Sequence, residues 1–193
     1  MRRVVPLIAA LALLAGCSQP TDGSANPGGS TPTTTADGPT SGKPTSALKE
    51  PAKRPKTINI EDVDPCTLLT EAQRAEFGLD QPPVKDDVPG KPGCSMSRGD
   101  RTHSVAIYAN STEGIETYTE PSRPGSTTLQ VGGFPAVMIE AKNALGFACA
   151  IHLDVSDGQL VTVQSHSLDV DPQALCQVVQ PAAGAVVTNL MSK

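Results

Sequence analysis

The sequence contains no tryptophan, and only three phenylalanines and two tyrosines among 193 residues. Any core built from it rests on Val, Leu, Ile and Ala, which is thin packing for a chain of this length. Basic charge is scarce as well: 15 Lys and Arg stand against 20 Asp and Glu. That balance argues against nucleic acid as a partner, because binding it needs a basic face. Nucleophile signatures are missing. There is no Gly-x-Ser-x-Gly elbow, and Gly90-Lys91-Pro92-Gly93 lacks the spacing and the Ser/Thr of a phosphate loop. No two cysteines stand in a Cys-x-x-Cys knuckle, so a structural zinc site has no sequence support.

What is there begins with an export signal. Met1, Arg2 and Arg3 make a positive start, and Val4 to Leu14 is an apolar run broken only by Pro6. As a helix this run reaches ~16 Å, about half of the ~30 Å hydrocarbon core of a bilayer. It reads as a cleaved leader over residues 1–16 rather than a span. Leu14-Ala15-Gly16-Cys17 closes it, and this resembles the bacterial lipobox, in which the cysteine thiol receives a diacylglyceryl group. Two acyl chains give stable anchoring where one gives only marginal binding. Cys17 is therefore the expected lipid anchor, placing the protein on the extracytoplasmic face of a cell membrane.

Residues 17–57 read as a tether. Beyond Cys17 they are built from Ser, Thr, Pro, Gly and Ala, with too little apolar surface to offset the entropy of ordering. A flexible coil of this length spans ~35 Å. The tether carries a net charge of +2, with Lys43, Lys49, Lys53, Arg54 and Lys56 against Asp22, Asp37 and Glu50. Lys49 to Lys56 reads as a solvated run. Residues 58–193 are left with eight cations against seventeen anions, a net of -9.

Four cysteines remain in that segment, Cys66, Cys94, Cys149 and Cys176. An even number in an exported chain predicts disulfides. Of the three possible pairings, Cys66 with Cys94 and Cys149 with Cys176 is favoured, since each closes a local loop of roughly 28 residues.

Periodicity predicts a single α+β domain over residues 58–193. Asp64-Pro65-Cys66 opens a first helix, with a restart at the capping-box spacing Thr70 to Gln73 and an end near Gly78. Gln81 to Gly93, rich in proline and glycine, reads as a long surface loop. Alternation then predicts strands around His103 to Ile107, over Thr127–Val131 and Ala136–Glu140 across Gly132-Gly133-Phe134-Pro135, and over Phe147–Val155 and Gln159–His166 across Ser156-Asp157-Gly158. Asp171-Pro172 opens a last helix whose apolar stripe runs Leu175, Val178, Val179, Ala182, Val186, Leu190, Met191, with Pro181 expected to kink or split it. The expected architecture is an antiparallel sheet with N- and C-terminal helices packed on it, stapled by two disulfides.

This combination resembles the actinobacterial lipoproteins of the domain-of-unknown-function 3558 family. The matching pieces are the lipobox at Cys17, the low-complexity stalk, Asp64-Pro65-Cys66-Thr67-Leu68-Leu69-Thr70, Cys94, Gly132-Gly-Phe-Pro-Ala136, Cys149 in a strand and Cys176 in the last helix. Members tend to have a tryptophan two residues beyond the second cysteine, where this chain has Met96. The resemblance implies a fold and a location, and brings no catalytic residues with it.

The remaining chemistry is sparse. Ser46-Ala47-Leu48-Lys49 fits Ser-x-x-Lys, but sits in the tether without a rigid shell to activate it. His152 and His166 fall on one face of neighbouring strands. With the hairpin turning at Asp157, His152 pairs with Thr162, leaving the imidazoles ~14 Å apart, far beyond a shared metal with bonds of ~2 Å. Both read as surface histidines, and His103 as a strand-end residue. No metal or cofactor is expected. The acid pairs Asp86/Asp87 and Asp169/Asp171 are explained by loops and helix caps. The sequence therefore predicts a non-catalytic binding or interaction domain, held to the membrane and facing a cell-wall component, a lipid or an envelope protein. A cell-envelope hydrolase using one of the acid pairs is the alternative.

Overall fold

The computed structural model describes residues 53–193 except Leu145. Cys17, Ser46 and Lys49 lie outside the described residues. Seven strands form one sheet: β1 (Val84–Asp86), β2 (Gly93–Ser97), β3 (Ser104–Asn110), β4 (Thr127–Val131), β5 (Phe134–Asn143), β6 (Gly146–Ser156) and β7 (Gln159–Ser167). Their order is β1-β2-β3-β7-β6-β5-β4, and every neighbouring pair is antiparallel. A short helix α1 (Glu71–Glu76) precedes the sheet, and α2 (Pro172–Met191) follows it. The α+β architecture predicted from periodicity is the one observed.

The helix entries follow from capping. Asp64 Oδ1 accepts the Cys66 N–H at 3.0 Å, and this opens only a single 3-10 turn, Pro65–Thr67. The α-helix restarts at Thr70, whose Oγ1 accepts from Gln73 N while Gln73 Oε1 accepts from Thr70 N, a complete capping box. Asp171 caps α2 by accepting from Ala174 N at 3.1 Å. Pro181 does not split α2, which is continuous. Both Pro181 and Gln177, whose carbonyl loses its helical donor, lie on the exposed side, where water can satisfy that oxygen.

One face of the sheet packs on α2. Ile107, Cys149, Ile151, Leu153, Val161 and Val163 meet Leu175, Val179, Ala182, Val186 and Leu190, all buried. The predicted stripe is displaced at one end: Ala183 and Val187 belong to the buried face, whereas Met191 is 41% exposed. With a mean hydropathy of 1.3 over its apolar window, α2 is long and apolar enough to cross a membrane. Eight of its residues are nevertheless buried and Cys176 is bonded to β6, which makes it the core helix of this domain. The disulfides are Cys66–Cys94, tying the 3-10 turn to β2, and Cys149–Cys176, tying β6 to α2.

The loop expected over Gln81–Gly93 contains a strand. β1 pairs with β2 through Val84↔Ser95 and Asp86↔Gly93, with all three side chains exposed. An edge strand that buries no side chain leaves no periodicity to read. β2 was also hidden, yet Cys94 and Met96 are completely buried, so Met96 is part of the core.

The β4–β5 turn places Gly132 and Gly133 at φ 55 and 85, the two left-handed residues of a type I′ hairpin. A Cβ on Gly132 would stand 2.5 Å from Val187 Cγ1 of α2. Gly132→Ala is therefore expected to cost roughly 2–3 kcal/mol, from backbone strain plus overpacking. Gly158→Ala, at φ 69 but facing open space, should cost only about 1–2 kcal/mol. Urea midpoints of the two variants provide the comparison.

Candidate functional site

The structure draws three of the residues singled out in the sequence into one place. His103, His166 and Asp169 line a cleft of about 380 Å³ at one end of the sheet, together with Ser97, Arg101, Ser104, Ser167 and Leu168. Strand register builds its floor. Ser97 pairs with Ser104, and continuing the Ala106↔Gln164 pairing by two residues sets Ser104 level with His166. Residues directly opposite each other share a face, here the face turned away from α2. The β2–β3 turn supplies Arg101, and the segment leading to α2 supplies Leu168 and Asp169.

Backbone contacts hold these groups in position. His103 is half-buried, and its Nε2 lies 3.1 Å from the Phe77 carbonyl at the end of α1. A carbonyl only accepts, so Nε2 carries the proton. Ser167 Oγ accepts from both Asp169 N and Val170 N at 3.2 Å. Asp100 Oδ1 accepts from Thr102 N and Thr102 Oγ1, and its other oxygen pairs with Arg98 at 3.1 Å. Those contacts hold the Asp100 carboxyl below its usual range, with the Thr102 amide as the main cause. Among the described residues no three His, Cys, Asp or Glu side chains are grouped as a metal site.

The remaining sequence candidates lie elsewhere. Asp171 is committed to the α2 cap. Asp86 is exposed on β1, and Asp87 lines a smaller cleft of about 260 Å³ where Lys85 Nζ sits 2.7 Å from Asp64 Oδ2. The Lys85 contact lowers the Asp64 carboxyl, and the Cys66 amide adds to it. Arg54, expected in a solvated charge run, is paired with Asp154 at 3.0 Å and Asp157 at 2.6 Å. The chain thus enters the domain at the β6–β7 turn, roughly 27 Å of strand from the cleft.

His152 corrects the surface reading. The predicted pairing with Thr162 is present, but the imidazole is only 6% exposed. It stacks on Tyr118 with ring centroids 3.7 Å apart, and its Nδ1 lies 2.9 Å from Thr162 Oγ1. Tyr118 comes from a 3-10 helix, Ile115–Tyr118, that covers this part of the outer face and forms a second apolar cluster with Val137 and Leu160. Alternation along β6 correctly turned His152 away from α2. It gave no sign that a distant segment would fold over it. Tyr118 Oη donates to Glu113 Oε2 at 2.8 Å, as does Asn110 Nδ2. Burial lowers the His152 pKa to about 4, assisted by Lys91 and Arg123 and opposed by Glu113. Burial, then the Glu113 contact, raises Tyr118 to about 12. His166 by contrast is exposed.

Arg101 escaped the sequence reading altogether. Its signal is conformational, a φ of 59 at a non-glycine residue, which no composition or spacing reveals.

Together these features define an α+β domain stapled by two disulfides, of the kind that folds in an oxidising, extracytoplasmic compartment. The chain belongs to the family described as protein of unknown function, DUF3558, whose model matches residues 12–189. No curated protein and no solved structure matches it.

Proposed function

We propose that this chain is a cell-surface lipoprotein, anchored through Cys17, whose domain is a non-catalytic binding module acting at the strand-end cleft. The cleft is the observation that carries this reading. Donors of three kinds and one carboxylate converge at one end of a sheet that two disulfides tie to the flanking segments, one through β2 and one through β6. Protein contacts fix two of the lining side chains: His103 is tied to a helix-end carbonyl and Ser167 to two backbone amides. Side chains held in this way suit recognition, where preorganisation lowers the cost of binding. The two disulfides and the lipobox support the address.

Two measurements test the proposal. Cys17→Ala should move the protein from the membrane to the soluble fraction, and unchanged membrane retention would remove the anchor. The full chain, incubated with envelope extract and examined by native mass spectrometry, should retain a small-molecule adduct that His166→Ala diminishes. A bare chain, or an adduct indifferent to that substitution, would remove the cleft as the binding site.

A further inference from the structure

We infer that the strand-end cleft takes a sugar bearing one anionic group, a carboxylate or a phosphate monoester. The inference rests on the binding-module reading and names the ligand class of that site. Arg101 supplies the charge. It is exposed at the β2–β3 turn, in left-handed backbone that a non-glycine residue adopts only where its surroundings impose it. They do so here: Arg101 N donates to the Arg98 carbonyl at 2.9 Å, while Asp100 binds the Thr102 amide and hydroxyl on the other side. Arg98 is paired with Asp100, whereas among the described residues no carboxylate pairs with Arg101. In a domain of net charge -9, a guanidinium with no carboxylate partner among the described residues, carried by a turn at the mouth of a cleft, is free to take an anion.

The other lining groups ask for hydroxyls beside that anion. Ser167 Oγ already accepts two amide N–H groups, so its own proton is available to donate into the cleft. Ser104 and His166 stand level on adjacent strands and add hydrogen-bonding groups on the floor. Asp169 accepts from ligand hydroxyls and repels a second negative charge. Leu168, 73% exposed at the rim, offers an apolar surface to the C–H face of a sugar ring. The volume, about 380 Å³, suits one ring with its substituents. No Phe, Tyr or Trp is among the residues that line the cleft; its two rings are the imidazoles of His103 and His166, and the His103 ring is tied through Nε2 to the Phe77 carbonyl.

Amide-resolved NMR of the full chain tests this, with glucose 6-phosphate and glucuronate as probes and with glucose and inorganic phosphate as the partial ligands. The two charged sugars should give saturable shifts confined to residues 97–104 and 166–169, with affinity about tenfold above either partial ligand. Arg101→Gly, which removes the guanidinium and suits the left-handed backbone, should cancel that advantage and leave the response to glucose unchanged. Arg101→Asn, also tolerant of that backbone, should do the same. Absence of saturable shifts in these residues would overturn the inference, as would inorganic phosphate binding as tightly as glucose 6-phosphate, or charged-sugar binding indifferent to both substitutions. An adduct from envelope extract alongside unresponsive charged sugars would reject this ligand class while leaving the binding module intact.

Discussion

Between pH 6.5 and pH 4 the folded domain is expected to lose about 3 kcal/mol of stability through one side chain, His152. Its folded pKa is lowered from 6.5 to about 4, chiefly by burial. Over that interval the unfolded chain binds a proton that the folded domain refuses, so stability falls as pH falls. Above pH 6.5 the imidazole is neutral in both states and the contribution is complete. Below about pH 4 it is charged in both, and no further loss comes from this group. Glu113 and Asp64, both held below their ordinary values, by Tyr118 and Lys85 respectively, contribute in a lower window: their stabilisation is present above the ordinary carboxylate range and is lost in stronger acid.

Urea unfolding from pH 7 to pH 4.5 measures the His152 effect directly. The double variant His152→Phe/Thr162→Val keeps an aromatic ring under Tyr118 and removes the hydroxyl that would otherwise lose its partner. It should flatten the profile. A wild-type profile already flat across this interval would show that His152 carries no such linkage. Amide exchange should locate the first loosening in Ile115–Tyr118, because the cluster of Tyr118, Val137 and Leu160 is separated by the sheet from the core beneath α2.

Loss of the disulfides is expected to have the largest effect on the domain. Cys66–Cys94 and Cys149–Cys176 span 28 and 27 residues, for which the chain-entropy relation gives about 3.5 kcal/mol each. Together they approach the whole stability of a typical domain, ~5–15 kcal/mol. A core without tryptophan, filled by Phe134, Met96 and aliphatic side chains, has little to replace them. Cys149→Ala/Cys176→Ala should lower the free energy of unfolding by about 3–4 kcal/mol, with Cys66→Ala/Cys94→Ala similar and the four-fold variant largely unfolded at 37 °C. Denaturation curves with and without reductant check both values. A four-fold variant as stable as the parent would show that the core holds the domain by itself.

The elements that were legible share a physical signature. The hairpins β4–β5 and β6–β7 carry Gly-Gly and Asp-Gly turns between alternating apolar residues, and α2 has an Asp-Pro entry followed by a 3.6-residue stripe. Each bears its burial pattern within its own sequence. β1 does not, since its Val, Lys and Asp side chains are all exposed and only the backbone of β2 recruits it. The fate of Pro181 was not legible either, because it depends on which side of α2 faces water.

The cleft was legible only in fragments. His103, His166 and Asp169 could be singled out by residue type, and the Asp157 hairpin gave the register that holds His152 opposite Thr162. Composition and local pattern by themselves determined the α+β class and the strand pairs across tight turns, because these depend on near neighbours and on alternation; they favoured the local cysteine pairing among three, and the structure decided it. Tertiary structure alone decided that the turn carrying Arg101 stands beside His166 and Asp169, and that Tyr118 seals His152 from water. Both outcomes come from segments distant in sequence meeting across the sheet, and no local pattern encodes which segments will meet.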